Sequence, residues 1–236
     1  MSENTLGGRR VLTADVQVPS SGAWWGTVTL DASSLPPLGA TVLTIGDLVL
    51  AGAVVRSDWD DAVNGGRPIA TVRGGAGWGR PLVDRNGDAI EGSYSSAGGV
   101  KISTVLQDLA KMTGETIGPI AADVSIGRWF SWPKHRPLAP VHGDHVLADL
   151  VARGYLPTWR IEPSTGRTLF TDWPSIGFAD GRGRIVDRAR DRGRRTVGLD
   201  VQVAAFVPGA TLEGIAIRRL ILRASASELS AEVYDA

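Results

Sequence analysis

The chain contains no cysteine among its 236 residues, and this absence removes several kinds of chemistry. Disulfide frameworks, thiolate metal sites and cysteine nucleophiles all depend on that side chain. The fold must therefore be stabilised by packing and hydrogen bonding, without covalent cross-links.

The sequence also lacks an uninterrupted apolar run long enough for a membrane span, which takes roughly eighteen to twenty residues. Its first residues, MSENTLGGRRVLTADV, contain no apolar core of the kind that a secretory signal peptide requires. We therefore expect a soluble protein that is synthesised in a cytoplasm and does not insert into a membrane.

Neither sign of charge is in excess. Lys and Arg total 25, Asp and Glu total 25, and the only lysines are Lys101, Lys111 and Lys134. No global electrostatic field then attracts the chain to nucleic acid or to an anionic membrane, and we predict no recognition of a nucleic acid sequence. With 43% apolar and 21% charged residues, the composition is that of a folded globular protein.

Tyrosine and phenylalanine are scarce beside tryptophan, with three and four residues against eight. Large flat side chains suit buried cores and contacts between subunits. We therefore predict that Trp24, Trp25, Trp59 and Trp78 are core or contact anchors, and we treat all four as interface candidates.

Both ends of the chain are predicted to be β. Short runs with period-two alternation, separated by Gly, Pro, Asn and Asp at intervals of about ten residues, indicate an antiparallel barrel or sandwich. Gly46-Asp47 marks a tight turn, and the last sixty residues or so predict a strand, a charged turn, a strand and a closing hairpin around residues 224–227. In RRVLTADVQV the alternation sets Val11, Thr13, Asp15 and Gln17 against Leu12, Ala14, Val16 and Val18.

The middle of the chain predicts two helices and a hairpin. The first helix, in VKISTVLQDLAKMTGETI, is expected to have Ser103 as its N-cap and to end at Gly114. Its apolar face comprises Ile102, Val105, Leu106, Leu109 and Met112. The second helix is expected in GDHVLADLVARGY with Asp144 as its cap, and TWRIEPSTGRTLFTDW predicts a hairpin.

These patterns together predict a mainly β (α+β) fold in which two β-barrel domains are joined by an α+β insertion. We expect the first barrel domain over residues 1–90, the insertion with its two helices and hairpin over residues 91–175, and the second barrel domain over residues 176–236.

The glycine-rich stretch IATVRGGAGWGRPL (residues 69–82) has the appearance of a phosphate-binding loop, because Gly75, Gly77 and Gly79 follow an apolar run. Such a loop needs a helix directly after the glycines, whose N-terminal amides and dipole bind the phosphate. The following residues, LVDRNGDAIEGSYSSAGG, show no helical period, and no Gly-Lys-Ser/Thr sequence is present. We therefore predict a wide turn at the end of a barrel strand, and no cofactor.

His142 and His145 lie close to a predicted helix start and could be metal ligands. Their spacing is loose and no H-E-x-x-H sequence is present, so helix capping at Asp144 is the simpler interpretation. We predict no metal site.

Three acids, Asp58, Asp60 and Asp61, surround Trp59, a combination that occurs in sugar-binding clefts. They belong to a polar segment that ends in NGG, where acids usually face water. No G-x-S-x-G elbow is present either. We predict no catalytic residues and expect that the protein is not an enzyme.

The densest charge feature is a run of arginines interspersed with Asp180, Asp187 and Asp191. It comprises Arg182, Arg184, Arg188, Arg190, Arg192, Arg194 and Arg195. Guanidinium groups pair well with carboxylates across subunit contacts, whereas nucleic-acid binding would call for interleaved aromatic residues. The run predicts a solvated or interfacial β-turn, with Arg188 and Arg192 as interface candidates.

Four segments, taken in order, resemble small tail-hub proteins of tailed bacteriophages and prophages, which belong to the wider baseplate-hub family. They are the strand followed by GGAGW, the STVLQDLA…GE helix, the TWRI…GRTLF hairpin and the PGATLEGIAI turn. The resemblance extends over nearly the whole chain.

That resemblance implies a structural protein of the virion, located in the tail tip or baseplate. In the family, two related β-barrel domains trimerise into a ring with pseudo-sixfold symmetry that matches the tail tube, and a spike or central fibre docks on its distal side. The expected partners are therefore two further copies of the chain, a tail tube or distal tail protein, and a spike or fibre protein. We expect residues 1–18 and 194–236 to supply strands to the barrel interfaces.

The chain departs from larger family members because it is short and shows no fused lysozyme or peptidase domain, so no wall-degrading role is expected. Two alternatives stay open. One is a carbohydrate-binding or carbohydrate-degrading β-module, suggested by Trp59 and its neighbouring acids; the other is an adaptor or completion protein elsewhere in the tail.

Overall fold

The computed structural model of the chain describes residues 4–60, 66–136, 139–189, 193–200, 202–225 and 228–235. Its internal contacts divide the chain into two compact units. Unit 1 comprises residues 1–74, 162–166 and 172–236, and unit 2 comprises residues 75–161 and 167–171.

The described residues form short strands with two α-helices between them, and none of these helices has the length and apolarity needed to cross a bilayer. The helices are α1 (Ile102–Thr113) and α2 (Gly143–Ala152). The strands as far as the second helix are β1 (Thr5–Leu6), β2 (Arg9–Pro19), β3 (Trp25–Leu30), β4 (Gly39–Ile45), β5 (Leu48–Asp60), β6 (Arg67–Arg73), β7 (Gly92–Ser95), β8 (Trp129–Trp132), β9 (His135–Arg136) and β10 (Ala139–Pro140). Those after it are β11 (Arg160–Ile161), β12 (Thr168–Leu169), β13 (Gly177–Phe178), β14 (Arg184–Ala189), β15 (Arg194–Leu199), β16 (Ala210–Leu212), β17 (Ile215–Ala216), β18 (Arg219–Ala224) and β19 (Leu229–Tyr234).

Six strands of unit 1 close into a barrel. Their hydrogen-bonded order is β1-β4-β5-β6-β3-β2, and β1 also pairs with β2, so that the sheet returns on itself. All of these pairings are antiparallel. Alternate side chains point into the barrel, where Val16, Val28, Leu43, Leu50 and Val72 are fully buried.

A β-bulge in β2 overturns one detail of the predicted alternation. The register against β3 shifts between Val11 and Thr13, so that one extra residue is inserted in β2. Because a one-residue shift exchanges the two faces of a strand, Val11 is buried together with Ala14 and Val16, and not exposed on the side of Asp15.

The C-terminal strands continue the same sheet beyond the barrel. β18 pairs with β2 and is followed by β19, β15 and β14, which gives a ten-stranded sheet with β14 at one end. The predicted strand–turn–strand unit and closing hairpin are confirmed as β14–β15 and β18–β19, whereas residues 190–192 and 226–227 of their turns lie outside the described residues.

A second, smaller sheet of unit 1 has the order β13-β16-β17. β13 runs parallel to β16, and β16 and β17 form an antiparallel hairpin. A short 3-10 helix, Ala204–Phe206, precedes this hairpin and buries Phe206 completely.

Unit 2 contains both helices, and α1 packs through the predicted face except at its last turn. Met112 is half-exposed and Thr113 is buried instead, where its hydroxyl is satisfied by donating to the carbonyl oxygen of Leu109 at 2.8 Å. The predicted stop at Gly114 is confirmed by its left-handed φ of 72°.

Both predicted N-caps are wrong. Lys101 occupies the N-cap position of α1, and the amide of Ser103 donates to the carboxylate of Asp123 at 3.0 Å. The N-cap of α2 is His142, and Asp144 lies in the first turn. In each helix a side chain other than the expected one accepts a hydrogen bond from one of the free amides of the first turn.

The predicted fold class is confirmed: the chain is mostly β, with a closed barrel and a segment that carries two helices. The predicted hairpin TWRI…GRTLF is present as β11–β12; its two strands belong to unit 2, and residues 162–166 of its turn belong to unit 1. The boundaries at residues 90 and 175 stay a prediction.

Candidate functional site

The glycine-rich stretch forms a turn that binds a carboxylate of its own chain. β6 ends at Arg73, and Ala76–Gly79 form one turn of 3-10 helix preceded by Gly75 in the left-handed region, at φ 61°. The amide of Gly77 donates to Oε1 of Glu115 at 2.5 Å. An amide that could bind a phosphate is therefore already occupied, and the predicted wide turn after a barrel strand is confirmed.

Close packing explains why this turn consists of glycines. A Cβ atom at Gly77 would collide with the carbonyl oxygen of Thr113, and one at Gly75 would meet the side chain of Ile161. Trp78 is completely buried beside them, and its Nε1 donates to Oγ1 of Thr168 at 2.7 Å. The glycines therefore allow this turn to pack closely against the rest of unit 2.

The two histidines form a helix cap. The side chain of His142 accepts from the third residue of α2, and Nδ1 of His145 accepts from the amide of His142 at 3.4 Å, which is a capping box. The rings are stacked with centroids 5.1 Å apart. Among the described residues, no group of three or more His, Cys, Asp or Glu side chains could hold a metal ion.

The acids beside Trp59 do not share a face with it. Asp58, Trp59 and Asp60 are consecutive in β5, so both acids project from one face of the strand and the indole from the other. Asp58 is paired with Arg56 at 2.5 Å, and Asp61 lies outside the described residues. The described part of this group therefore does not form a cleft with acids and an aromatic ring on one side.

The structure divides the four predicted tryptophans into two pairs. Trp24 and Trp78 are buried in the cores of units 1 and 2, respectively. Trp25 in β3 is 48% exposed and Trp59 in β5 is 43% exposed. An interface role stays a prediction for all four, and it is carried forward for Trp25 and Trp59 because their rings are accessible.

Two residues of the arginine run, Arg188 and Arg195, bind one carboxylate, that of Glu213, at the end of the ten-stranded sheet; we call these three residues the triad. Nε of Arg188 lies 3.1 Å from both carboxylate oxygens of Glu213, and Nη2 donates to Oε1 at 2.6 Å. Nε of Arg195 donates to Oε2 of the same carboxylate at 3.1 Å. These bonds, those from Arg188 above all, lower the pKa of Glu213 to about 2.

The triad connects the turn between β16 and β17 to the strands β14 and β15. Glu213 belongs to the turn between β16 and β17 and has a left-handed φ of 51°, and its amide donates to Oδ1 of Asp180 at 3.1 Å. Arg188 belongs to β14, which pairs with β15 alone among the described strands. The role of Arg188 at an interface stays a prediction, and Arg192 lies outside the described residues.

A cleft of about 590 Å³ lies beside the start of β14. Its charged and polar lining comprises Arg182, Arg184, Asp200, Gln202 and Glu228. Charges of both signs surround it, and Nη1 of Arg182 is bound to Gln202 at 3.1 Å. This arrangement favours no ligand of a single charge.

One exposed surface was not identified from the sequence pattern. We name the outward side chains of β4 and β5, from Ala40 to Val55, the β4–β5 face; Ala40, Val42, Val49 and Val55 are exposed on it. A sheet face in water normally carries polar side chains, so this face has the composition of a covered surface. The signal was present in the sequence as apolar residues at both alternating positions.

A second missed feature is the exposed apolar segment at β13. Phe178 is 74% exposed, and Ile176 beside it is half-exposed. A short strand flanked by loop residues carries no periodicity long enough to identify it from the sequence.

The fold is shared with solved tail proteins. A tail protein of prophage MuSo2, described as 43 kDa and from Shewanella oneidensis, matches with a TM-score of 0.64 and 10% identity over 98% of this chain and 97% of its own. A tail protein from Neisseria meningitidis MC58 matches with a TM-score of 0.60 and 12% identity over 98% of this chain and 95% of its own.

The E. coli c3393 protein matches with a TM-score of 0.62 and 11% identity over 99% of this chain and 76% of its own. That protein is described as a type VI secretion component with structural similarity to the T4 bacteriophage tail proteins gp27 and gp5. No protein-family model and no curated protein matches the chain. The resemblance to baseplate-hub-like tail proteins is therefore confirmed at the level of the fold.

Proposed function

We propose that the chain is a structural component of a phage tail, the hub of the baseplate or tail tip. Three copies form a ring that connects the tail tube to a central spike or fibre. The observation that carries this proposal is the fold similarity to tail proteins, which extends over 98–99% of the chain and so includes both units. The protein acts within the virion, after synthesis in the host cytoplasm.

The use of the candidate catalytic groups supports a role without enzymatic activity. His142 and His145 cap a helix, and Asp58 is paired with Arg56. Side chains that hold the fold in this way are not positioned to exchange protons with a substrate.

The surface supports assembly from identical copies. A ring is built from heterologous contacts, in which two different patches of one chain meet, and aromatic and arginine side chains are frequent anchors of such contacts. Trp25 and Trp59 are exposed in unit 1, and the zero net charge imposes no long-range repulsion between copies.

The alternative, a carbohydrate-binding or carbohydrate-degrading module, predicts a different experimental result. Binding to cell-wall glycans that is lost in Trp59→Ala, with the thermal unfolding midpoint unchanged, would favour that module. Trp59 and its neighbouring acids occupy opposite faces of β5, which argues against such a module.

A deletion and rescue experiment tests the tail role. In the phage or prophage that encodes the chain, deletion of its gene should leave tails without a complete tip and abolish infectivity, and a plasmid-borne copy should restore both. Complete, infectious particles that form without the chain would contradict the proposal.

A further inference from the structure

The β4–β5 face is free of charge over an unusual length of chain. Residues 32–55 contain one charged side chain, Asp47, in a sequence in which 21% of residues are charged. Asp47 lies in the turn between the two strands, where its Oδ1 accepts from the amide of Ala204 at 2.8 Å. No charge of the two strands therefore projects from the face between Ala40 and Val55.

This face is also accessible. Val42 is 44% exposed, and Leu38, just before β4, is 68% exposed. Ala40 and Ala53 face each other in the register of the two strands, and their small side chains allow a partner to approach the backbone closely there. Ala51 is already contacted by the turn of residues 162–166, because its amide donates to the carbonyl oxygen of Pro163 at 2.6 Å. Its rim reaches Trp25 through the row Ala53–Arg73–Trp25 of neighbouring strands.

The same sheet carries charge elsewhere. On the outward side of β2, β18 and β19, Nη1 of Arg223 is bound to Glu232 at 2.8 Å, and its Nε lies 3.6 Å from Asp15. Paired charges of this kind are typical of a sheet face that stays in water. The β4–β5 face carries no such pair, and an apolar sheet face of this kind is usually covered by another surface.

A second charge-free surface of unit 1 has complementary properties. Residues 173–179, WPSIGFA, contain no charged side chain, and Phe178 projects into solvent from them. The backbone around Phe178 is fixed, because the amide of Ile176 donates to Gly209 at 3.3 Å and that of Ala179 donates to Thr211 at 2.8 Å. We name Ile176 and Phe178 the β13 patch; it presents a large ring on an ordered strand.

From these observations we infer that the β13 patch of one copy docks on the β4–β5 face of the next copy. The inference rests on the proposed ring, which needs two different surfaces of one chain. Both surfaces are uncharged, so neither leaves a desolvated charge at the contact. An aromatic anchor on an ordered strand meeting a face rich in alanine and valine also matches the composition of energetically dominant contacts.

The test measures self-association of three variants by sedimentation velocity. Val42→Arg and Val49→Arg each place a charge on the β4–β5 face without touching the core, and Phe178→Asp does the same to the β13 patch. Each should weaken self-association by more than about thirtyfold and leave the unfolding midpoint unchanged. Val83→Arg and Val124→Asp are the matched controls, since both are exposed valines of unit 2 that lie outside the two surfaces and outside the strands that carry Trp25 and Arg188, and they should associate as the unchanged chain does.

Mixing separates this contact from other modes of assembly. Val42→Arg retains an intact β13 patch, and Phe178→Asp retains an intact β4–β5 face. A mixture should therefore form dimers through the one intact pair, and these dimers should not grow further.

Three results would overturn the inference: a mixture that stays monomeric, variants that associate normally, or an unchanged chain that stays monomeric at several hundred micromolar. If the variants associate normally, the proposed ring still stands, but its contact must be formed by other surfaces. Failure of the tail role itself is recognised independently, by infectious particles that lack the chain.

Discussion

Arg188 on the edge strand β14 donates hydrogen bonds to both carboxylate oxygens of Glu213, with Nη2 and Oε1 2.6 Å apart. Glu213 is the one residue other than glycine with positive φ among the described residues, and its turn joins β16 to β17. The ion pair thus connects the end of the large sheet to the hairpin of the small one, both within unit 1.

The first prediction concerns the pH dependence of stability. The pKa of Glu213 is lowered from 4.5 to about 2, so the unfolded chain binds a proton there at higher pH than the folded chain. Its stabilising contribution is therefore present above pH 4.5 and is lost as the pH falls towards 2. Glu213→Gln should lower the unfolding midpoint at pH 6, and its difference from the unchanged chain should disappear near pH 2.

The matched control for that titration is Asp149→Asn, which removes the exposed pair of Asp149 with Arg153 within α2. An exposed pair of this spacing contributes little, so its midpoint should follow the unchanged chain at every pH. Equal midpoints of Glu213→Gln and the unchanged chain at pH 6 would show that the triad does not stabilise the fold.

The second prediction concerns the glycine turn. Gly77→Ala should destabilise unit 2 by about 2 kcal/mol or more, because the new Cβ collides with the carbonyl oxygen of Thr113 and displaces the bond to Glu115. Gly98→Ala is the control, since a Cβ there meets nothing within 4 Å. Urea unfolding followed by tryptophan fluorescence gives both values, and equal stability of the two variants would refute this packing role.

The third prediction concerns the buried bond between Trp78 and Thr168. Thr168→Val keeps the shape of the side chain but leaves the indole Nε1 without its acceptor, which should cost about 1–3 kcal/mol. Trp78→Phe adds a cavity, and the double variant should be more stable than the sum of the single effects implies. Additive free energies of unfolding in this double-mutant cycle would mean that the two groups are not coupled.

The fourth prediction separates the neighbours Trp24 and Trp25. Trp24 is buried, and its ring packs on Gly52 and Gly74, so Trp24→Ala should lower the free energy of unfolding by about 3–5 kcal/mol. Trp25→Ala should change that free energy by less than about 1 kcal/mol, because nearly half of the side chain is exposed.

Assembly should respond differently to the same exposed residue. Trp25→Ala should weaken ring formation by more than about tenfold, because the exposed indole is a predicted contact anchor. Calorimetry and sedimentation measure the two effects separately. An unchanged association constant would remove Trp25 from the interface.

Local patterns predicted much of this fold. Gly46-Asp47 marked the turn between β4 and β5, and Gly114 marked the end of α1, because each position needs a backbone that few residues adopt. Alternation identified the strands at both ends of the chain. It did not predict the β-bulge at Leu12, because no local sequence signal indicates it. Periodicity reports which residues share a face, and for these elements that was sufficient.

Long-range contacts account for what was missed. β2 pairs with β18, which lies some two hundred residues later in the chain, and Glu115 binds the amide of Gly77, which lies 38 residues earlier. Nothing in the local sequence of one partner identifies the other. The caps of both helices likewise depended on side chains that only tertiary packing brings into place. The absence of charged residues on the outward side of β4 and β5 between Ala40 and Val55 was a local signal, and it indicates a covered face only after the barrel is known to close.

Electron cryomicroscopy of intact tail particles tests the central claim most directly. A reconstruction of the tail tip should contain three copies of the chain around the tail axis, with the closed barrel and its C-terminal strands forming the ring. Particles in which the chain is absent, or in which it lies as single copies away from the axis, would contradict it.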